Sequence, residues 1–573
     1  MSTFPWLTVA GAIPLVGAIV IALTPGRSAP GSPADRRARD LLVKRIALVF
    51  SLITLAVTIV IAVKFRAGGP RFQFQQVYQW IPQFGVHYAV GVDGIALVLI
   101  LMSTVLMPVV VLASWNDVED LSATSAGPAD GPATPGARTP RVRSAKSYFA
   151  MMLVLETMII GVFAATDVFL FYVFFEAMLV PMYFMIGSFG VGQRQYAAVK
   201  FLLYSLLGGL LMLVAVIALY VYSTQGGHQG TFLFTQLSHL TLSPATQKWL
   251  FLGFFIAFAI KAPLWPFHTW LPDAATSAQP GAAVLLVGVL DKVGTFGMIR
   301  YCLDLFPSAA HFFTPLVIVL AVIGVLYGAI VAIGQADIKR LIAYTSVSHM
   351  GLITLGIFAM TSQGQTGATL YMVNHGFATG ALFLLAGFMV SRRKSHLIAD
   401  YGGVQKVAPM LAGLFLVAGL AGLALPGLST FVSEFLVLVG TFTRYEAAAI
   451  LATAGIILAA IYILWMYQRT MTGPVRAEVA NMPDLKAREL WAVGPLIALI
   501  VVLGVYPKPA LDIINPAVHS TLVGAHSRDP VPPHPASAPT GPAGTTSTAG
   551  TTSFVHHQHG HGRQTLHKQG SSA

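Results

Sequence analysis

Residues 251–274 read FLGFFIAFAIKAPLWPFHTWLPDA. Ten apolar residues run into Lys261, and Pro263 and Pro266 follow within five positions. Lipid offers no partner for a freed backbone group, so a membrane helix normally closes all of its own hydrogen bonds. Proline removes a donor and collides with the preceding turn. A charge beside two such breakers at the end of an apolar run therefore predicts a discontinuous membrane helix with a titratable group at its break.

The rest of the chain agrees with an all-α polytopic membrane protein. It is 55% hydrophobic and only 10% charged, where soluble domains carry about 25% charged residues. At roughly 20 residues per span, the apolar runs predict about fourteen helices. They lie near 4–24, 44–63, 89–113, 147–165, 167–189, 197–223, 249–268, 281–303, 312–334, 339–361, 366–391, 409–441, 446–468 and 489–506. No strand pattern is expected. The first run has no Lys or Arg before it, so it lacks the basic start of a signal peptide and reads as an uncleaved span.

Cys302 is the single cysteine, which excludes an intramolecular disulfide and a cysteine-ligated cluster. No Gly-rich phosphate loop follows a strand, so nothing in the motifs prepares a nucleotide site. The net charge of +12 is explained by topology and needs no nucleic-acid partner. Loops after odd-numbered spans hold roughly 22 Lys/Arg against roughly 6 after even-numbered ones, and basic loops stay in the cytoplasm. Both termini are then outside. Residues 117–146 and 524–573 are rich in Pro, Gly, Ala and Ser and read as disordered. The His-rich end of the second reads as a solvated tail rather than a metal site.

Charges where lipid should be are costly, by several kcal/mol on insertion scales, and this chain has a row of them. Glu176 lies nine residues into its span, about 13 Å deep at the rise of an α-helix. Lys261, Lys292 (beside Asp291), His349 and Glu434 sit at similar depth in other runs, each flanked by apolar residues. Singly, such a residue can staple two helices or satisfy a core neighbour. As a set they repeat: Glu176 to Lys261 and His349 to Glu434 are both 85 residues, one offset of 173 apart. The same offset carries Lys200 to within two residues of His375. Pro263 and Pro266 near Lys261 are matched by Pro426 and Gly427 near Glu434. Two five-helix units, 147–303 and 312–468, are implied. Five is odd, so successive units enter the membrane from opposite sides, as inverted repeats with a broken helix each. Residues 1–146 precede them as three helices and a loop, and 489–506 follow as a last helix. Lysine between desolvation and a carboxylate, and histidine near neutrality, both suit proton relay.

Four motifs, FFEAMLVPMYF (174–184), KAPLWPFHTWLPDA (261–274), DIKRLIAYTSVSHMG (337–351) and LPGLSTFVSEF (425–435), together resemble the antiporter-like subunits of respiratory complex I, over roughly residues 80–505. Glu434, where most members carry lysine, is similar to the subunit M branch. The resemblance implies a proton-translocating subunit of a bacterial cell-membrane NADH:quinone oxidoreductase. It implies that Glu176 and Lys261 pair, that Lys292 and His349 carry the proton along the membrane, and that Glu434 is the terminal site. His268, about two turns beyond Lys261, belongs to that neighbourhood, and His375 and Lys200 are further candidates on the path. No cofactor is implied in this chain. NADH, FMN, iron–sulfur clusters and quinone belong to partner subunits, and the paralogous subunits L and N are the implied neighbours in the bilayer. One departure is the stretch after LPDA, where the family commonly has histidine and proline and this chain reads ATSAQPG.

Two other classes stay open at this point: a secondary cation/proton antiporter chain, and a structural subunit that only scaffolds its neighbours. Some residues read as structural. Glu156 is expected to be a packing carboxylate with a polar partner, Asp273 to cap the turn after Pro272, and Lys339 and Arg340 to anchor a span at the interface. Asp291 and Lys292, adjacent in sequence, share no helix face and are expected to pair, if at all, with other helices.

Overall fold

The computed structural model describes residues 4–25, 33–117, 144–225 and 229–530. Most of the two stretches read as disordered therefore lies outside the described residues. Of their edges, Ala145 already begins a helix and Gly524 ends one.

The helices are α1 Trp6–Leu23, α2 Pro33–Lys64, α3 Gly94–Ala113, α4 Ala145–Ala164, α5 Val168–Ala177, α6 Leu179–Gly187 and α7 Arg194–Ser223. Then come α8 Pro244–Lys261, α9 Trp270–Ser277, α10 Pro280–Leu303, α11 Pro307–Ile333, α12 Ile338–Phe358 and α13 Ser362–Arg393. The last are α14 Pro409–Gly422, α15 Ser429–Phe442, α16 Glu446–Met471, α17 Ala487–Val505 and α18 Lys508–Gly524. Among the described residues, twelve helical segments are long and apolar enough to cross a membrane. The two other anticipated runs, 249–268 and 409–441, are the interrupted ones: α8 stops at Lys261 inside the first, with α9 beginning just beyond it, and the second is divided into α14 and α15.

Burial sorts the helices into a centre and a rim. α10 is buried along its whole length and α12 and α13 nearly so, whereas α1, α2, α16 and α17 keep only about a third of their residues inside. The central helices can pack this closely because they meet at small residues. Gly440 on α15 is an example: a Cβ there would fall 2.2 Å from the backbone nitrogen of Gly364 on α13. Aspartates begin the helices that need it. Asp167 Oδ1 accepts from the backbone of Phe169 and Leu170 and starts α5. Asp337 Oδ1 does the same for Lys339 and Arg340 and starts α12, satisfying first-turn donors. Each of these caps also lies in a short antiparallel bridge, Asp167 with Leu233 and Asp337 with Leu397.

Two elements depart from the sequence reading. An antiparallel hairpin, β1 Gln73–Ile81 and β2 Val86–Val92, joins α2 to α3, with Val77 opposite Ala89 and Tyr78 opposite Tyr88. It was missed because QFQQVYQWI keeps glutamines in step with its aromatics and leaves Val77, Tyr78 and Trp80 about half exposed. The hairpin is fastened to the end of α10: Arg300 pairs with Asp93 at 2.7 Å, and Arg71 pairs with Asp304. The second is α18, to which the sequence reading assigned nothing. Pro516, inside the helix, argues against it, whereas Pro509 falls in the first turn, where proline is tolerated. Ile514, Ala517, Val518, Thr521 and Leu522 form a buried stripe at helical spacing.

Candidate functional site

Glu176 is the second-last residue of α5. Pro181, which has no N–H to return to Ala177, coincides with the turn at Met178 that separates α5 from α6. Lys261 is the last residue of α8, 1% exposed, where Pro263 and Pro266 end the helix. The carbonyl that the break frees on Ile260 accepts instead from Trp270 Nε1 at 2.9 Å. At the matching break Thr430 Oγ1 donates to the carbonyl of Ala421, which also accepts from the backbone of Ala424 at 3.0 Å. Glu176 and Lys261 lie within electrostatic reach of one another. They are not in contact: neither Glu176 Oε1 nor Lys261 Nζ has a hydrogen-bond partner among the described residues. The ammonium stands 4.4 Å from the ring centroid of Phe175.

A second cluster lies among α10, α12, α13, α15 and α16. Lys292 Nζ lies 2.8 Å from Asp291 Oδ1, 2.6 Å from the carbonyl of Val287 and 2.6 Å from His375 Nδ1. The expectation that Asp291 and Lys292 pair only with other helices is therefore corrected. The lysine stem folds back onto its neighbour where α10 widens into i→i+5 turns at Leu286–Leu290, a distortion frequent at functional sites. The His375 ring meets the His349 ring at 5.3 Å. His349 Nε2 is 3.3 Å from the Tyr462 hydroxyl, and its ring is 5.8 Å from that of Tyr371. Tyr371 donates its hydroxyl proton to Glu434. Asn374 ties α13 to the start of α15 by donating to the Ser429 carbonyl at 2.5 Å and to Ser433 Oγ at 3.2 Å. A cavity of about 10 Å³ lies among Ser348, His349, Glu434 and Tyr462, room for a single water. Asp291, Lys292, His375, His349 and Glu434 thus come from four helices, all of them buried.

Other expected members lie apart. Lys200 pairs with Asp273 Oδ2 at 2.8 Å in a half-buried position and is not joined to His375. Asp273, expected only to cap a turn, also takes Arg340 on Oδ1 at 2.8 Å and so links α7, α9 and α12. Lys339, expected at the interface, is 2% exposed and donates to the carbonyls of Thr276 and Ala278, closing the end of α9. In the loop beside it, burial and the Lys339 ammonium push His396 below its ordinary value against the opposing pull of Asp337. His268 does not continue α8 by two turns, because the proline break intervenes. Its ring rests on Tyr327 at 5.0 Å and Tyr344 at 6.4 Å, with both nitrogens unpartnered among the described residues. Glu156, expected to have a polar partner, has none there on either oxygen. Sequence reasoning missed Tyr371, Tyr462 and Asn374. Tyr371 had one signal, its place four residues before His375 on one face of α13. Among the described residues, no group of three His, Cys, Asp or Glu could hold a metal ion.

Comparison with known proteins gives the family. Residues 165–461 match the family described as NADH:quinone oxidoreductase/Mrp antiporter, TM. NADH-quinone oxidoreductase subunit M of Mycobacterium tuberculosis (strain H37Rv) is 54% identical over 545 residues, covering 93% of this chain and 96% of the relative. That of Rhodobacter capsulatus is 40% identical over 523 residues, covering 90% and 96%. A chain of respiratory complex I from Thermus thermophilus superposes with a TM-score of 0.75 at 30% identity, covering 91% of this chain and 99% of that one. A chain of the Mrp complex from Dietzia sp. shares the fold at 19% identity and a TM-score of 0.73, covering 91% and 98%. This chain belongs to the NADH-quinone oxidoreductase subunit M family, antiporter-like membrane subunits of complex I.

Proposed function

We propose that this chain translocates protons within the membrane arm of an NADH:quinone oxidoreductase, through Glu176, Lys261, Lys292, His375, His349 and Glu434. Electron transfer in other subunits drives it, and NADH, FMN, iron–sulfur clusters and quinone are held there. One observation carries the reading: the buried line Asp291–Lys292–His375–His349–Tyr371–Glu434, joined by an ion pair from Asp291 to Lys292, hydrogen bonds from Lys292 to His375 and from Tyr371 to Glu434, and ring contacts between. Each member can accept a proton, donate one, or both. A chain of such groups through hydrocarbon has little structural use, since isolated charges there are unfavourable. Glu176 and Lys261, open toward each other, form the gate of the first half, and their approach or separation changes which of them holds a proton.

The matched caps, bridges and helix breaks support reading 147–303 and 312–468 as inverted repeats, with Lys261 and Glu434 at equivalent breaks. Lys200 and His268 flank the first half, Lys200 at its edge. The neighbours on either side are the paralogous antiporter-like subunits L and N, in a bacterial inner membrane with both termini outside. Replacing Glu176 or Lys261 with alanine in the assembled complex tests the reading. NADH-driven proton pumping is expected to fall, and undiminished pumping would sink the assignment.

A further inference from the structure

The open Glu176–Lys261 pair has a seat for each partner. The Glu176 carboxylate lies in a notch on α7 that exists because residue 209 is glycine. A Cβ there would fall 1.8 Å from Oε1, 2.5 Å from Cδ and 2.9 Å from Oε2. Across the gap, Lys261 Nζ stands over the face of Phe175, 4.4 Å from its centroid, within the range in which a ring face attracts an ammonium. Phe175 is itself fixed, 1% exposed and flanked by Phe171 at 5.7 Å and Phe258 at 5.9 Å. Phe175 and Glu176 are consecutive on α5, so the lysine has two alternative partners side by side, a ring and a carboxylate.

We propose that Gly209 and Phe175 are positioning residues that set the open state of this pair, the notch receiving the carboxylate and the ring receiving the ammonium when the two separate. A buried ammonium and a half-buried carboxylate that let go of one another lose their attraction in a medium that offers little in return. The ring restores part of it on one side. On the other, the notch lets the carboxylate withdraw without displacing α7. The three atoms nearest a methyl group at 209 all belong to the far end of one flexible side chain, that of Glu176, so the carboxylate is driven out of its seat before the helices need to move. That makes the substitution a probe of position more than of folding.

The inference rests on the proposed role of Glu176 and Lys261, and the test separates the two. The readout is NADH-driven proton translocation by the intact complex in proteoliposomes, with assembly checked by native gel. Gly209→Ala is expected to lower the rate roughly three-fold or more, while in the Glu176→Asp background, where the carboxylate is one methylene shorter, the same methyl changes it by less than about 1.5-fold. Phe175→Leu is expected to lower the rate by roughly three-fold and Phe175→Tyr, which keeps the ring face, to restore it. Equal losses from the methyl in both backgrounds, or from leucine and tyrosine alike, would overturn the positioning role. Glu176→Gln is measured alongside. If it pumps at the parent rate, the proposed function itself fails. If it abolishes pumping while Gly209→Ala is harmless, only the positioning inference fails.

Discussion

Lys292 is surrounded by acceptors: a carboxylate at 2.8 Å, a carbonyl at 2.6 Å and an imidazole nitrogen at 2.6 Å. When its ammonium donates to His375 Nδ1, that histidine must hold its own proton on Nε2, so a proton passed along this bond forces a tautomer or charge change one residue further on. His375 therefore joins Lys292 to His349, whereas His268 rests among tyrosines without a titratable neighbour in hydrogen-bond contact. His375→Ala is accordingly expected to reduce proton translocation more than His268→Ala, measured as pumping by assembled complex. Equal losses would count against the order of the line. Tyr371→Phe removes only the hydroxyl that reaches Glu434. Losing one hydrogen bond to a charged group is worth about 1.5–3 kcal/mol, so the rate is expected to drop by roughly ten-fold or more with assembly intact. The charged members of this line were legible in the sequence because Lys, Glu and His are conspicuous in apolar runs. The tyrosines were not, because aromatic residues are ordinary there and only the fold reveals which hydroxyls face inward.

The interrupted helices were legible for the same reason: proline states its effect locally. What the prolines could not show is how the loose ends are satisfied. Trp270 closes on the Ile260 carbonyl and Thr430 on that of Ala421, contacts set by how each chain turns back on itself. Thr430→Val keeps the shape and removes one of two donors to that carbonyl, which still accepts from the backbone of Ala424 at 3.0 Å, so the loss should cost about 0.5–1.5 kcal/mol. The purified complex is expected to melt at a lower temperature, and an unchanged Tm would show that the cap contributes nothing. The hairpin and α18 lay beyond local reading. The strands alternate too weakly, and α18 becomes a helix through the stripe it buries against α3 and α13 despite Pro516 in its interior. Asp273 was misread for a related reason. A carboxylate after proline suggests a cap, and nothing local shows that Lys200 and Arg340 converge on it.

Across the molecule, the least polar composition surrounds the most polar centre: the rim helices face outward with leucine, isoleucine and valine, and α10, α12 and α13 carry the ionisable groups inside. That arrangement is what a membrane solvent demands of a chain that must hold charges at depth. The orientation read from basic loops is testable because Cys302 is wholly buried and leaves the background silent. A cysteine replacing Gln229 is expected to react with an impermeant maleimide in intact cells, and one replacing Lys406 only after permeabilisation. The reverse pattern would invert the topology. The central claim is that protons cross this subunit along its buried polar line, and Lys292 lies on that line while touching no outer surface. The most direct measurement is the number of protons moved per NADH by complex carrying Lys292→Ala, reconstituted in proteoliposomes. The account predicts a loss of translocation by this path, with the rate down roughly ten-fold or more as for removal of a proton-transfer group. Translocation at the parent rate and stoichiometry would contradict it.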